Sequence, residues 1–454
     1  MVLRAKLKIR HHPFAPYRIM DVPLFLEQAI QQHQRGKVDE AYAIYRRILA
    51  TVPNHADALH FMGLAEFQKG QPARALELMN QSIQLEPNHP DYLNNRGNVH
   101  RFVGNRDEAE ADYYAALELC PTHADALNNV GVVLRDRGDI TGAIAQFQLT
   151  VQHHPSHADA YVNLGGSLAA IQRYDEALEA YRAALHINPN DARAYRHVAA
   201  MCYATGKLDE ATSMYRAWLA NNPDDPVAQH LLAACTGQGV PERASNDYVR
   251  TTFDDYADSF DSSLERLEYR APTLVAKAAE ALSEAAQGTL CLLDAGCGTG
   301  LVAPFLRPLS RSLVGVDLSP KMLDKARARH LYDELIEAEL HAYLLTQSAR
   351  FDAIVSADTL VYFGNLEAVI DGFHQALVPQ GWLVFTVEHA LPEDAPEGYC
   401  IHPHGRYSHT TRYVKRRLSE SGFVDITAKR VTLRKEAGKW VDGLLVTARK
   451  PATL

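Results

Sequence analysis

Two folds in series are predicted: an all-α solenoid of helical repeats, then an α/β domain on a doubly wound sheet. Three observations predict them. Proline recurs at 53, 87, 121, 155, 189 and 223, and alanine at 41, 75, 109, 143, 177 and 211, each 34 residues after the last. The aliphatic run Leu290–Asp294 (LCLLD) leads into a loop with glycine at 296, 298 and 300. Beyond that loop, short apolar runs alternate with helical patterns, the order of a largely parallel sheet.

The elements follow in order. The first twenty residues hold five Lys/Arg and no acid, so residues 1–21 are read as a basic, disordered leader. A transit peptide would usually be richer in serine. Residues 22–236 are read as six tetratricopeptide repeats plus a capping helix, because a 34-residue period belongs to that kind of helix-turn-helix unit. In the repeat that starts at Ala124, Leu127, Val130, Gly131 and Leu134 share one face of the first helix. Gly131 is small enough for the second helix to approach, and Phe147 is expected to fill the space between repeats. Gly36, Gly70, Gly104, Gly138 and Gly206 stand in register at the turn, and Pro155 ends the second helix. Asp225–Cys235 reads as the cap that closes the solenoid.

One polar slot runs through the repeats: Asn95, Asn129 and Asn163, with His197 after them. Helical geometry turns that slot about 150° from the centre of the apolar stripe, which predicts that it faces the groove or solvent. The runs LNNRGNV and LNNVGVV resemble the repeats of protein O-GlcNAc transferases. That resemblance implies an asparagine ladder holding the backbone of a peptide, since an amide both donates and accepts. Asn95, Asn129 and Asn163 are therefore candidate contacts for a protein or peptide partner.

Residues 237–450 are read as the α/β domain behind a helical lead-in. A dinucleotide loop needs G-x-G-x-x-G, but the sixth position counted from Gly296 is Leu301. The spacing D-x-G-x-G-x-G (Asp294, Gly296, Gly298, Gly300) instead resembles motif I of class I methyltransferases that use S-adenosylmethionine. The resemblance implies a Rossmann-like, seven-stranded sheet. It implies that Asp317, at the tip of the second strand, takes the ribose hydroxyls, with Leu318 and Met322 near the adenine. Glu339 and Leu340 stand where the family keeps its adenine contact, and Asp358 follows the fourth strand. The lead-in, with Tyr256 and Tyr269, is expected to close over the cofactor.

The stretches FDDYADSFDSSLERLEYRAPTL, GRYSHTTRYV, LRKEAG and VDGLLVTARK together resemble bacterial methyltransferases with an N-terminal tetratricopeptide array, across nearly the whole chain. Amino-methylating DNA enzymes carry [DNS]-P-P-[YF] after the fourth strand. This chain has Ala-Asp-Thr-Leu there (357–360), so a DNA acceptor is not expected. Candidates for chemistry are Tyr362, Glu388, His389 and His409, with Arg406 facing an anionic substrate group. They stand at strand ends or in the GRYSH segment, which is read as a loop leading to a helix. The basic run Arg412, Lys415, Arg416 and Arg417 is read as a solvated face.

Composition narrows the rest. A net charge of −9 argues against a dedicated nucleic-acid binder. Six scattered cysteines without a CxxC pair predict neither a disulfide framework nor a metal site, and favour a reducing cytoplasm. No apolar run approaches membrane-span length. The function expected is a methyltransferase whose repeats recruit or position a protein target. A small-molecule enzyme whose repeats drive assembly, or an adaptor that binds the cofactor without turnover, stay open, as does oligomerisation through a solenoid face.

Overall fold

The computed structural model describes residues 21–282, 288–436 and 438–452, so all but the last residue of the basic leader lies outside the described residues. The chain divides into two compact units, one ending at Asn188 and the other starting at Pro189.

The first unit is five helix pairs, from Val22–Gln34 with Val38–Thr51 to Ala158–Ala170 with Tyr174–Ile187. The small-residue slot does what its spacing predicts. A Cβ on Gly131 would lie 2.6 Å from Cε1 of Phe147, so the fully buried ring fills the space within its own repeat rather than between repeats. The histidines at 55, 123 and 157, in register, provide something the periodicity did not reveal. Their Nδ1 atoms accept from the backbone N–H of Ala58, Ala126 and Ala160 and so cap three helices. On the opposite ring edge, Nε2 of His123 and His157 reaches Asp91 and Asp125 of the preceding repeat at 3.0 and 3.2 Å.

The asparagine slot meets the preceding first helix as well as solvent: Asn95 and Asn163 are half-buried and His197 is exposed. Asn129 is 9% exposed, and its Nδ2 donates to Asn94 Oδ1 (2.9 Å) and Asn98 Oδ1 (3.0 Å). Asn163 donates to Asn128 Oδ1 at 2.9 Å, while Asn95 pairs with His60 Nε2 at 3.0 Å. Each amide donor is thus taken by the preceding repeat. The physical reason is that stacking buries both flanks of a first helix, so a position far from the intra-repeat stripe still meets a neighbour.

The second unit contains the sixth helix pair, Ala192–Ala204 with Leu208–Asn221, the capping helix Pro226–Thr236, and the α/β domain. Its strands are β1 (Leu290–Ala295), β2 (Ser310–Asp317), β3 (Glu334–Glu337), β4 (Phe351–Ser356), β5 (Leu377–His389), β6 (Tyr399–Ile401), β7 (Tyr407–His409), β8 (Val424–Glu436) and β9 (Lys439–Arg449). Seven of them form the expected sheet in the order β3-β2-β1-β4-β5-β9-β8, in which β9 alone runs against the others. Aliphatic and aromatic side chains such as Leu293, Ile354, Phe373 and Phe385 are fully buried against it; each contributes about 2–3 kcal/mol relative to exposure.

Two differences from the sequence reading matter for the site. The stretch after the glycine loop does not form a full helix. It gives one turn, Ala303–Leu306, and a 3₁₀ turn, Arg307–Leu309, because Pro304 is tolerated in a first turn whereas Pro308 lacks the N–H that would continue the helix. Tyr407–His409 of the GRYSH segment is strand rather than loop, while Gly405 and Arg406 stay outside it, and the sheet has nine strands instead of seven. Glu388 of β5 pairs with Gly443 of β9 on one edge and with Ser408 of β7 on the other. The β6–β7 hairpin therefore sits on the β4 side of β5, beyond the point where β4 ends at Ser356. That is the carboxyl end of the sheet, where open α/β sheets bind ligands.

Candidate functional site

A cavity of about 420 Å³ opens at this edge. Two groups of residues line it. The first comes from the loops after β1, β2 and β3: Gly296, Gly298, Asp317, Leu318, Glu339 and Leu340. Gly298 has a φ of +53° and open space where a side chain would project, its nearest neighbour being Phe260 at 3.9 Å. The loop is held from outside. Thr299 Oγ1 donates to Asp261 Oδ1 (2.5 Å), and Arg329 bonds both Asp261 and the Thr299 carbonyl. Asp317 accepts from Gly298 N (2.8 Å) and Ser319 N (2.9 Å). Burial raises its pKa, and the carboxylate keeps acceptor capacity toward the cavity.

The expected residues divide into lining and supporting roles. Asp317, Leu318, Glu339, Leu340, Gly296, Gly298 and Asp358 line the cavity; Met322, Asp294 and Gly300 do not. Met322 is fully buried. Asp294 is 1% exposed and accepts from Tyr332 Oη (2.6 Å), while its Oδ1 has no partner among the described residues. Burial raises its pKa to about 7. Glu339 caps the helix Leu340–Leu345, accepting from His341 N and Ala342 N. Tyr256 and Tyr269 of the lead-in also line the cavity.

The second group of lining residues includes Tyr269, Asp358, Tyr362, His404, Arg406, Arg434 and Glu436. It is built around a buried ion network. Arg434, 4% exposed, donates through Nη1 to Asp358 Oδ2 (2.7 Å), through Nε to Glu436 Oε1 (2.6 Å), and through Nη2 to Glu388. Arg406 donates through Nε to Glu388 Oε1 (2.7 Å) and through Nη2 to Glu436 (2.8 and 2.7 Å). Burial opposes ionisation of Glu388, but the two guanidinium groups win and its pKa falls to about 2. Asp358 adopts φ +53°, and its Oδ1 takes the Thr386 hydroxyl at 2.9 Å. Arg434 and Glu436 were missed in the sequence. Their one signal is that they stand two apart on β8, hence on one face.

The His404–Arg406 wall rests on the capping helix Pro226–Thr236. His230 Nε2 lies 2.8 Å from the Gly405 carbonyl, and its ring stacks on Tyr248 at 3.9 Å. Gly405, φ +86°, has no room for a side chain against Tyr248 Oη and Leu231.

Of the candidates for chemistry, Tyr362 lines the cavity; His389 and His409 do not. Tyr362 packs edge-on against Phe253 at 5.4 Å, and burial raises its phenol pKa to about 12. Glu388 and His389 are neighbours on β5 and so point to opposite faces; His389 turns to Arg430 at 3.3 Å. His409 is fully buried, with Nε2 3.0 Å from the Gly364 carbonyl.

Comparison with known proteins matches this architecture. Residues 264–428 fit a family model described as a methyltransferase domain. Segments 32–96, 94–152, 136–192 and 168–235 fit tetratricopeptide repeat models. The chain is a tetratricopeptide array followed by a methyltransferase domain. Human methyltransferase-like protein 27 is 37% identical over 127 residues, which are 27% of this chain and 49% of that protein. The malonyl-[acyl-carrier protein] O-methyltransferase of Enterobacter lignolyticus is 34% identical over 22% of this chain and 41% of its own. The ubiquinone biosynthesis O-methyltransferase of an Azoarcus species is 33% identical over 21% and 42%. The chain thus spans less than half the length of these relatives. No described helix is long and apolar enough to cross a membrane.

Proposed function

We propose that the chain is an S-adenosylmethionine-dependent methyltransferase acting on oxygen, whose repeats recruit or position a protein or peptide target. The observation that carries the cofactor reading is the joint approach of Gly298 and Asp317 to one cavity, the glycine leaving open space and the carboxylate keeping acceptor capacity. The ribose hydroxyls fall to Asp317, while Leu318, Glu339 and Leu340 flank the adenine. Met322 is buried outside the cavity lining, and Asp294 braces the loop from inside through Tyr332. Asp358 orients Arg434 at the boundary between the two groups of lining residues. When bound, the cofactor supplies an electrophilic methyl group on a sulfonium; the protein's part is to orient the acceptor and exclude water. The oxygen preference rests on the relatives named above as O-methyltransferases.

A second reading, a small-molecule enzyme whose repeats serve assembly, draws support from the asparagine donors, which are bonded between repeats. The test is calorimetric titration with S-adenosylmethionine and its demethylated product, for the full chain, Asp317→Asn and Asp317→Ala. Loss of about 2 kcal/mol, or roughly 30-fold in affinity, is expected for Ala. Unchanged binding would remove Asp317 from the site and the cofactor reading with it.

A further inference from the structure

The acceptor side of the cavity has hydrogen-bond donors and no free base. His404 Nδ1 accepts the backbone N–H of Arg406 at 3.2 Å, so the neutral ring carries its proton on Nε2 and has no lone pair left over. That Nε2–H lies 3.8 Å from Glu388 Oε2, beyond hydrogen-bond reach. Burial and the Arg406 charge lower the His404 pKa to about 3. Arg406 places Nε and Nη2 in ion pairs, whereas its Nη1 group has no partner among the described residues. Its side chain remains 19% exposed on the cavity wall.

The acids there are engaged as well. Glu388 and Glu436 are held between the two guanidinium groups. Asp358 has one oxygen on Arg434 and the other on Thr386; burial raises its pKa, and the Arg434 charge opposes that. The phenols of Tyr269 and Tyr362 both have raised pKa values. An alcohol or a phenol acceptor needs a group that removes its proton, and on this wall His404, Asp358, Glu388 and Glu436 are each already held by partners.

Building on the methyltransferase reading above, we infer that the acceptor is a carboxylate, bound by Arg406 Nη1 and the Nε2–H of His404 and converted to a methyl ester. A carboxylate is already ionised at neutral pH, and it suits a surface offering N–H donors. One of its oxygens forms the new O–CH₃ bond with a lone pair. The bond from that methyl to sulfur breaks, its electron pair stays on sulfur, and no proton moves. The ion network has two cations and three anions, and the sulfonium adds the charge that lets a further anion enter.

The test uses the full chain loaded with sinefungin, a non-reactive cofactor analogue whose ammonium supplies the charge of the sulfonium, titrated with benzoate and hexanoate and with their amides. The acids should bind about tenfold or more tightly than the matching amides. Arg406→Gln should erase that preference, while Arg406→Lys, which keeps the charge and checks folding, should retain part of it. Equal binding of acids and amides, or no acid binding at millimolar concentration, would overturn the carboxylate assignment while leaving the methyltransferase reading intact. Failure of sinefungin itself to bind would sink both. Methyl label transferred into cell extract by the full chain should be released as methanol by mild base; base-stable label counts against the ester.

Discussion

The array and the methyltransferase domain both bury polar groups, but they pair them over very different distances in the sequence. In the array, partners recur at a fixed offset: Asn129 with Asn94, Asn163 with Asn128 and Asn95 with His60 are each 35 residues apart. His123 with Asp91 and His157 with Asp125 are each 32 apart. In the domain, one network gathers Asp358, Glu388, Arg406, Arg434 and Glu436 from four separate stretches of the chain. Periodic pairing is cheap to lose one rung at a time, since each repeat repeats the solution. A converging network fails together, because removing one cation leaves several buried acids without a counter-charge.

The largest effect should follow from Arg434→Met. Glu388 is 4% exposed and would lose its closest cation, so a cost of about 3–5 kcal/mol is expected in urea unfolding of the second unit. A loss under about 1 kcal/mol would show that the network is not a unit. Next comes acid. Burial lowers the folded pKa of His404 to about 3 and of His409 to about 4. Their unfolded forms bind protons from pH 6.5 downward, so stability must fall as pH drops from about 6.5 toward 3. The limiting slope is about 1.4 kcal/mol per pH unit for each histidine. Glu388, lowered to about 2, adds a second loss below its ordinary value of 4.5. His409→Gln should flatten the upper limb in a pH series of thermal unfolding, and an unaltered slope would show that His409 is not the group responsible.

In the array the effects should be smaller and local. Gly131→Ala places a methyl against the Phe147 ring. Overpacking costs about 1–3 kcal/mol, and better helix propensity returns about 1 kcal/mol of it. Amide exchange should quicken in the Ala124–Asp136 and Ile140–His153 helices without change in the sheet. Asn129→Ala should cost least, about 1 kcal/mol, again with protection lost only in its own and the preceding repeat. A mutation here that melts the sheet as well would refute the contrast drawn above.

Much of the fold was legible because it rests on local rules. Pro155, Gly131 and Gly138 announce helix ends, close approach and turns by residue type alone. Asp294 to Gly300, with Asp317 after the next strand, announces a nucleoside loop. The failures have one cause. The slot at Asn129 was placed from the geometry of a single helix, whereas stacking decides which flank is covered. His389 was chosen for its position at a strand end, but strand alternation turned it away from the cavity while Glu388 turned inward. His404, Arg434 and Glu436 carry no motif, because an ion network needs only opposite charges at suitable distances.

By itself, the sequence determined the kinds of element, their order and the nucleoside loop, since turns, caps and apolar periodicity act within a few residues or one repeat. The tertiary structure decided which polar groups are free. The β6–β7 hairpin lies beyond the end of β4, and His230 of the capping helix supports the Gly405 turn. That arrangement leaves His404 as a donor and one amino group of Arg406 unpaired. Hydrogen-bond capacity left over after folding depends on every neighbour a side chain meets, and those neighbours are set by the packing of distant segments rather than by residue type.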